Sequence, residues 1–187
     1  RVRPHEQLLI DVVGELPAGR MLCNTAGRGQ LASAYVTSHL GSSAVCWFLD
    51  VYQRDQCRLV DESAGGIDWC CAPDPPDGPF DVVAWALGLR GESELKREML
   101  QEGYVRLADG GRFVAATDKP DDQWLHLELK KLFPKVTRRP FKSGVVYLAT
   151  KTGELPKRKS FDCEFAFRDQ DRLLYAFSRP SVFSHRR

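Results

Sequence analysis

Two glycines, Gly27 and Gly29, sit where an apolar run gives way to helix formers in the stretch 21–34 (MLCNTAGRGQLASA). A short strand that turns on glycine into a helix carries backbone N–H groups and a helix N-terminus up to a ligand, usually an anionic or polar one. The chemistry implied is the cradling of a cofactor. Asp50 closes the apolar run 44–50 (AVCWFLD), and Asp74 stands in the proline-rich stretch 73–79 (PDPPDGP). A strand-end carboxylate such as Asp50 can contact a polar ligand, or it can simply cap the next helix. Asp74 can also touch a ligand, but in so proline-rich a loop it reads first as an ordinary turn residue.

Other reactive side chains form no comparable set. The six cysteines include the pair Cys70-Cys71 but no CxxC, and His5, His39, His126 and His185 are scattered, none at ligand spacing from a cysteine. The thiols therefore read as reduced core residues of a cytoplasmic protein, and no metal site is expected. No Ser/His/Asp or Cys/His nucleophile set stands out. Trp47, Trp69, Trp85 and Trp124 lie in strand or helix patterns and read as packing.

Charge is divided unevenly. Residues 1–129 carry 12 Lys/Arg against 20 Asp/Glu, a net of −8, whereas residues 130–187 carry 15 against 5, a net of +10. A basic C-terminal third on an acidic body points to a polyanion, and RNA is the natural candidate. Arg138, Arg139 and Lys142 stand in one basic run and Lys157, Arg158 and Lys159 in a second; a solvated surface is the plainer explanation of either. No apolar run reaches the roughly 18 residues of a membrane span, and the N-terminus does not read as a signal peptide.

The elements that must position these residues follow from periodicity. Helical spacing covers 5–13, 31–40, 53–60, 92–107 and 121–132; apolar runs predict strands at 20–24, 44–50, 67–72, 80–87, 112–117 and 144–150, and 136–141 completes the set as a strand joined to the last by a short connection. Asp109-Gly110-Gly111 is expected to cap the fourth helix. The last two strands are too close for a crossover and must form an antiparallel hairpin. Strands alternating with helices predict an α/β, doubly wound, mostly parallel seven-stranded sheet ending in that hairpin. Beyond residue 153 the composition turns basic and linker-like, and the end of the chain carries no stop signal.

This order resembles the class I S-adenosylmethionine-dependent methyltransferase fold, which is Rossmann-like. Two features sharpen the likeness: the stretch Leu107-Ala108-Asp109-Gly110-Gly111-Arg112-Phe113 between helix and strand, and the closing Arg179-Pro180-Ser181-Val182-Phe183-Ser184 after the basic segment. Together they are similar to the N-terminal half of the bacterial rRNA (guanine-N2)-methyltransferases, in which two methyltransferase-like domains share one chain. That family has Pro-Gly-Val-Phe-Ser where Ser181 replaces the glycine here. The resemblance implies a 1–153 methyltransferase-like domain and a 154–187 basic linker leading into a C-terminal catalytic domain. It also implies rRNA or a ribosomal subunit as partner, S-adenosylmethionine as cofactor of the full-length protein, and a supporting role without catalysis for this half.

Against the family's pattern the loop departs in a definite way. A working loop begins with an acid two residues before the first of three glycines. Aligned on Gly27 and Gly29, that first glycine becomes Thr25 and the acid becomes Cys23, or Asn24 if the register shifts by one. Losing a charge-assisted contact of about 1.5–3 kcal/mol weakens binding by one to two powers of ten. The Asn-Pro-Pro-Phe motif expected after the fourth strand is absent, and Trp85-Ala86-Leu87-Gly88 stands there. Asp74-Pro75-Pro76-Asp77 looks like that motif but precedes the strand, and is a decoy. Gly27, Gly29, Asp50 and Asp74 are thus expected as a weak or vestigial cofactor site, with no catalytic residue. The alternative is a self-contained S-adenosylmethionine-dependent methyltransferase with a divergent loop.

Overall fold

The computed structural model describes residues 2–60, 65–89, 91–155 and 157–180. The elements in chain order are α1 (Pro4–Val12), β1 (Arg20–Asn24), α2 (Gln30–Ser38), β2 (Ser43–Phe48), α3 (Val51–Val60), β3 (Ile67–Cys71) and β4 (Phe80–Ala86). They continue with α4 (Ser93–Arg106), β5 (Leu107–Thr117), α5 (Trp124–Lys130), β6 (Val136–Phe141), β7 (Gly144–Thr150), β8 (Cys163–Asp169) and β9 (Arg172–Ser178). β1 to β7 form one seven-stranded sheet in the order β3-β2-β1-β4-β5-β7-β6, and β7 runs antiparallel to both its neighbours. The strand order reverses between β1 and β4, which is where open α/β sheets leave a crevice for ligands.

Side-chain size separates the two faces of this sheet. Beside Met21 and Phe48, the small residues Cys23, Ala44, Ala84, Ala86 and Ala116 face α1, α2 and α3. These small residues let α1 lie close across the middle of the sheet. Phe80, Trp85, Phe113 and Tyr147 face α4 and α5, and Phe133 packs among them. α4 comes down onto Trp85 because residue 103 is glycine: a Cβ there would stand 2.5 Å from Trp85 Nε1 and 2.9 Å from Phe113 and Val83. The indole N–H donates to Met99 O at 2.9 Å, so its polar atom is satisfied inside the core.

The chain differs from sequence expectation in two places. Asp109-Gly110-Gly111 does not cap α4; these residues lie within β5, which starts directly at Leu107. They join the sheet, with Gly110 itself at φ 76, because Gly110 N donates to Lys151 O at 3.0 Å and Lys151 N to Gly111 O at 3.1 Å, prolonging the pairing with β7. The segment after residue 153 is not linker throughout: β8 and β9 pair as a second, two-stranded sheet. Its turn uses Gln170 at φ 53, the left-handed region. Residues 181–187, which hold most of the closing Pro-Ser-Val-Phe-Ser stretch, lie outside the described residues.

Gly103→Ala tests the close approach of α4. Alanine favours a helix by about 1 kcal/mol, but overpacking a filled core costs about 1–3 kcal/mol, and three contacts under 3 Å put this site at the upper end. Urea unfolding should therefore show a net loss of stability. A gain would mean that α4 does not rest on Trp85.

Candidate functional site

Because β1, β2 and β3 run parallel, the loops that follow them share one edge of the sheet. The glycine turn, Asp50 and Asp74 follow these strands in that order. Gly29 is the N-cap of α2 at φ 79, a left-handed conformation, and a Cβ on it would lie 2.4 Å from the Trp69 ring. Both constraints demand glycine at this position.

The turn is built around an acid that comes from elsewhere. Glu6 of α1 has no solvent exposure, and its carboxylate lies directly beneath the loop. Thr25 Oγ1 donates to Glu6 Oε1 at 2.7 Å, and Ala26 N donates to Glu6 Oε2 at 3.1 Å. Thr25 Oγ1 in turn accepts Gly27 N at 3.0 Å and Gly29 N at 2.9 Å, while Arg28 N donates to Gln30 Oε1 at 2.7 Å. Each of the four N–H groups from Ala26 to Gly29 therefore has a partner within the chain. Burial pushes the Glu6 carboxyl above its ordinary value, while the Thr25 hydroxyl and the loop N–H groups oppose that rise. Thr25 needs no positive φ here, and its hydroxyl is the hub of the turn.

The crevice beside the turn is also bridged. The β1–β4 ladder runs to Cys23 and Ala84. Beyond it, Asn24 Oδ1 accepts Ala86 N at 2.7 Å and Asn24 Nδ2 donates to Ala86 O at 3.1 Å, so a side-chain amide extends the ladder across the switch point. After β4, the carbonyls of Gly88 and Leu89 accept Lys96 Nζ at 2.6 and 3.2 Å, and Leu89 N donates to Asp118 Oδ1 at 2.6 Å. His5 Nδ1 lies 3.7 Å from Asp118 Oδ2, and burial pushes this imidazole below its ordinary value. A cavity of about 230 Å³ opens next to this knot, lined among others by Gly88, Lys96, Thr117 and Trp124.

The remaining predicted residues divide by what they touch. Asp50 is exposed and caps α3, its Oδ1 accepting Tyr52 N at 2.8 Å and Gln53 N at 3.4 Å. Asp74 binds Arg179 through Nη2 at 2.7 Å and Nη1 at 3.3 Å, and that guanidinium holds its carboxyl below the usual range. The Pro75 and Pro76 carbonyls accept Arg106 Nε at 2.8 and 2.9 Å, which gives the decoy motif a structural role. Arg138 donates to Pro120 O at 2.9 Å, and Arg139 is paired with Glu15. Arg158 pairs with buried Glu102, whereas Lys142, Lys157 and Lys159 are exposed. Glu6 was missed from sequence, although it lies three and seven residues before Leu9 and Val13, on the apolar stripe of its own helix.

No family model matches the sequence, and no curated protein matches it. Solved structures do match. An O-methyltransferase family protein from Burkholderia thailandensis superposes with TM-score 0.59 at 16% identity, over 79% of this chain and 56% of that one. The N-methyltransferase NodS from Bradyrhizobium japonicum gives 0.60 at 9% identity, over 79% and 94%. The T. thermophilus 16S rRNA N2 G1207 methyltransferase RsmC, solved with AdoMet and guanosine, gives 0.67 at 17% identity, over 95% and 47%. The fold is that of the class I methyltransferases. The chain spans about half the length of the Burkholderia and Thermus proteins. The seven-stranded sheet ends at Thr150 of 187 residues, so a match over 95% takes in part of the segment beyond it. Among the described residues no group of His, Cys, Asp or Glu could hold a metal, and no helix is long and apolar enough to cross a membrane.

Two variants test the turn. Thr25→Val keeps the shape but leaves the Gly27 and Gly29 N–H groups and Glu6 without their partner, and should cost about 2–3 kcal/mol in urea unfolding. Glu6 sets a pH dependence. Its folded form keeps a proton that the unfolded chain gives up near 4.5, so stability falls as pH rises from below 4.5 through the raised folded value. Glu6→Gln removes that slope, and the gap between wild type and variant should shift in favour of Gln toward neutral pH. A constant gap would place the Glu6 carboxyl in solvent.

Proposed function

We propose that this chain is a methyltransferase-like domain of an rRNA (guanine-N2)-methyltransferase, supporting RNA binding and a catalytic half without transferring methyl groups itself. The observation that carries this reading is the occupied turn. S-adenosylmethionine would have to draw its contacts from N–H groups that Glu6, Thr25 and Gln30 already hold. It would also lack a carboxylate for its ammonium, because Cys23 and Asn24 stand where the acid is expected and the Asn24 amide is bonded to Ala86. The residues present do not fit that cofactor. The carbonyls after β4, which in the resembled family orient the amino group being methylated, are here held by the Lys96 ammonium.

Support for a tandem architecture comes from the C-terminal segment. The Thermus rRNA enzyme matches beyond the seven-stranded sheet and is about twice as long as the region matched. A lone two-stranded hairpin is marginal in water, yet β8–β9 exposes Phe165, Phe167, Leu173, Tyr175 and Phe177. A second domain of the same chain is the cover that the reading supplies. The charge of +10 over residues 130–187 supports RNA as the partner.

Isothermal titration with S-adenosylhomocysteine separates this reading from a self-contained S-adenosylmethionine-dependent enzyme. The expected result is no measurable heat at protein concentrations suited to micromolar binding. Micromolar binding that Asp50→Ala abolishes would establish the self-contained enzyme instead.

A further inference from the structure

Lys157 and Lys159 follow the seven-stranded sheet in a segment that α4 fixes in register. Gln101 of α4, only 6% exposed, clamps the backbone of Lys159 from both sides: its Oε1 accepts Lys159 N at 2.8 Å and its Nε2 donates to Lys159 O at 2.8 Å. The next residue of the helix, Glu102, pairs with both Arg158 and Arg106 and is 3% exposed. Arg158 is thereby turned toward α4. Lys157 and Lys159 instead line a cleft of about 620 Å³ between this segment, α4 and α5.

The rest of that cleft is chemically uneven. Arg97 and Lys131 face it from α4 and from just past α5, sharing the carboxylate of Glu128 at 3.3 and 2.8 Å. Four cations thus stand around one carboxylate, and neither Lys157 nor Lys159 has an ion pair or side-chain hydrogen bond among the described residues. Leu100, Leu132, Leu155 and the half-buried ring of Phe161 supply an apolar wall. A volume of about 620 Å³ lies within the roughly 300–1,000 Å³ range of ligand sites. A basic groove beside an aromatic ring is the arrangement that holds single-stranded nucleic acid, with cations on the phosphates and a base on the ring.

We infer that this cleft is the RNA-contacting site of the domain and that it takes an unpaired segment of RNA. The inference rests on the RNA-binding part of the proposed function and relocates it. Arg158, Arg138 and Arg139 are engaged with Glu102, Pro120 and Glu15, while Lys157 and Lys159 act together with Arg97, Lys131 and Phe161. An acidic polypeptide would satisfy the cations but would gain little from the ring, so RNA is the occupant that uses the whole surface.

Fluorescence anisotropy of the 187-residue chain with a short labelled oligouridylate, at several salt concentrations, tests this. The double variant Lys157→Ala/Lys159→Ala should reduce the slope of log K against log salt by about 1.4. Phe161→Ala should weaken binding about tenfold and leave that slope unchanged. Urea midpoints equal to wild type would confirm that each variant is folded. If the lysine pair has no effect and Arg138→Ala/Arg139→Ala alone weakens binding, the cleft is wrong and RNA binding stands. If wild type binds no oligouridylate at low salt, both fail. If polyglutamate displaces the RNA equally and Phe161→Ala changes neither affinity, the cleft belongs to an acidic polypeptide and the inference is overturned.

Discussion

Glu6 is a carboxylate with no solvent exposure, and such a group is tolerated only where donors surround it. In this domain the donors are the hydroxyl of Thr25 and the backbone of the glycine turn. The exchange binds both sides. α1 is held across the sheet because its acid is satisfied by the loop after β1, and the loop keeps its shape because the acid fills it from below. N–H groups that a turn of this kind presents to a ligand are turned inward to the protein. The turn keeps its shape, and its N–H groups are bonded within the chain.

The same substitution of self for ligand recurs along this edge of the sheet. Asn24 bridges the crevice between β1 and β4, Lys96 holds the carbonyls after β4, and Arg179 holds Asp74 beyond β3. Each contact is ordinary taken alone, contributing about 0.5–3 kcal/mol according to charge and burial. On the proposed reading they together turn a face of binding shape into a structural one. Lys157 and Lys159, without side-chain partners among the described residues, stand in the segment that Gln101 and Glu102 pin to α4. The proposed function and the inferred cleft together assign the work of the domain to its basic flank in place of the glycine turn.

Strands buried on two faces announce themselves by composition, which is why β1 and β7 have the bounds that their apolar runs predict. Where a backbone partner far along the chain decides the conformation, local signals mislead. Asp109-Gly110-Gly111 reads as a helix cap, yet Lys151 draws it into β5. The alternation Cys163, Phe165, Phe167 was a strand signal masked by the basic residues before it. Gly27 and Gly29 were found because glycine geometry is written in the sequence. Thr25 reads only as a replaced glycine and Glu6 not at all, because the bond joining them spans 19 positions and exists only once α1 has folded back. Asp50 admitted two readings, and its Oδ1 contacts give it at least the capping one.

Backbone amide hydrogen exchange at residues 26–29, followed by NMR with and without S-adenosylmethionine, addresses the occupied turn most directly. Amides already bonded to Glu6, Thr25 and Gln30 should exchange slowly, and millimolar S-adenosylmethionine should leave both their rates and their shifts unchanged. Fast exchange in the free protein, slowed and shifted by the cofactor, would show the turn to be open and the cradle still in use.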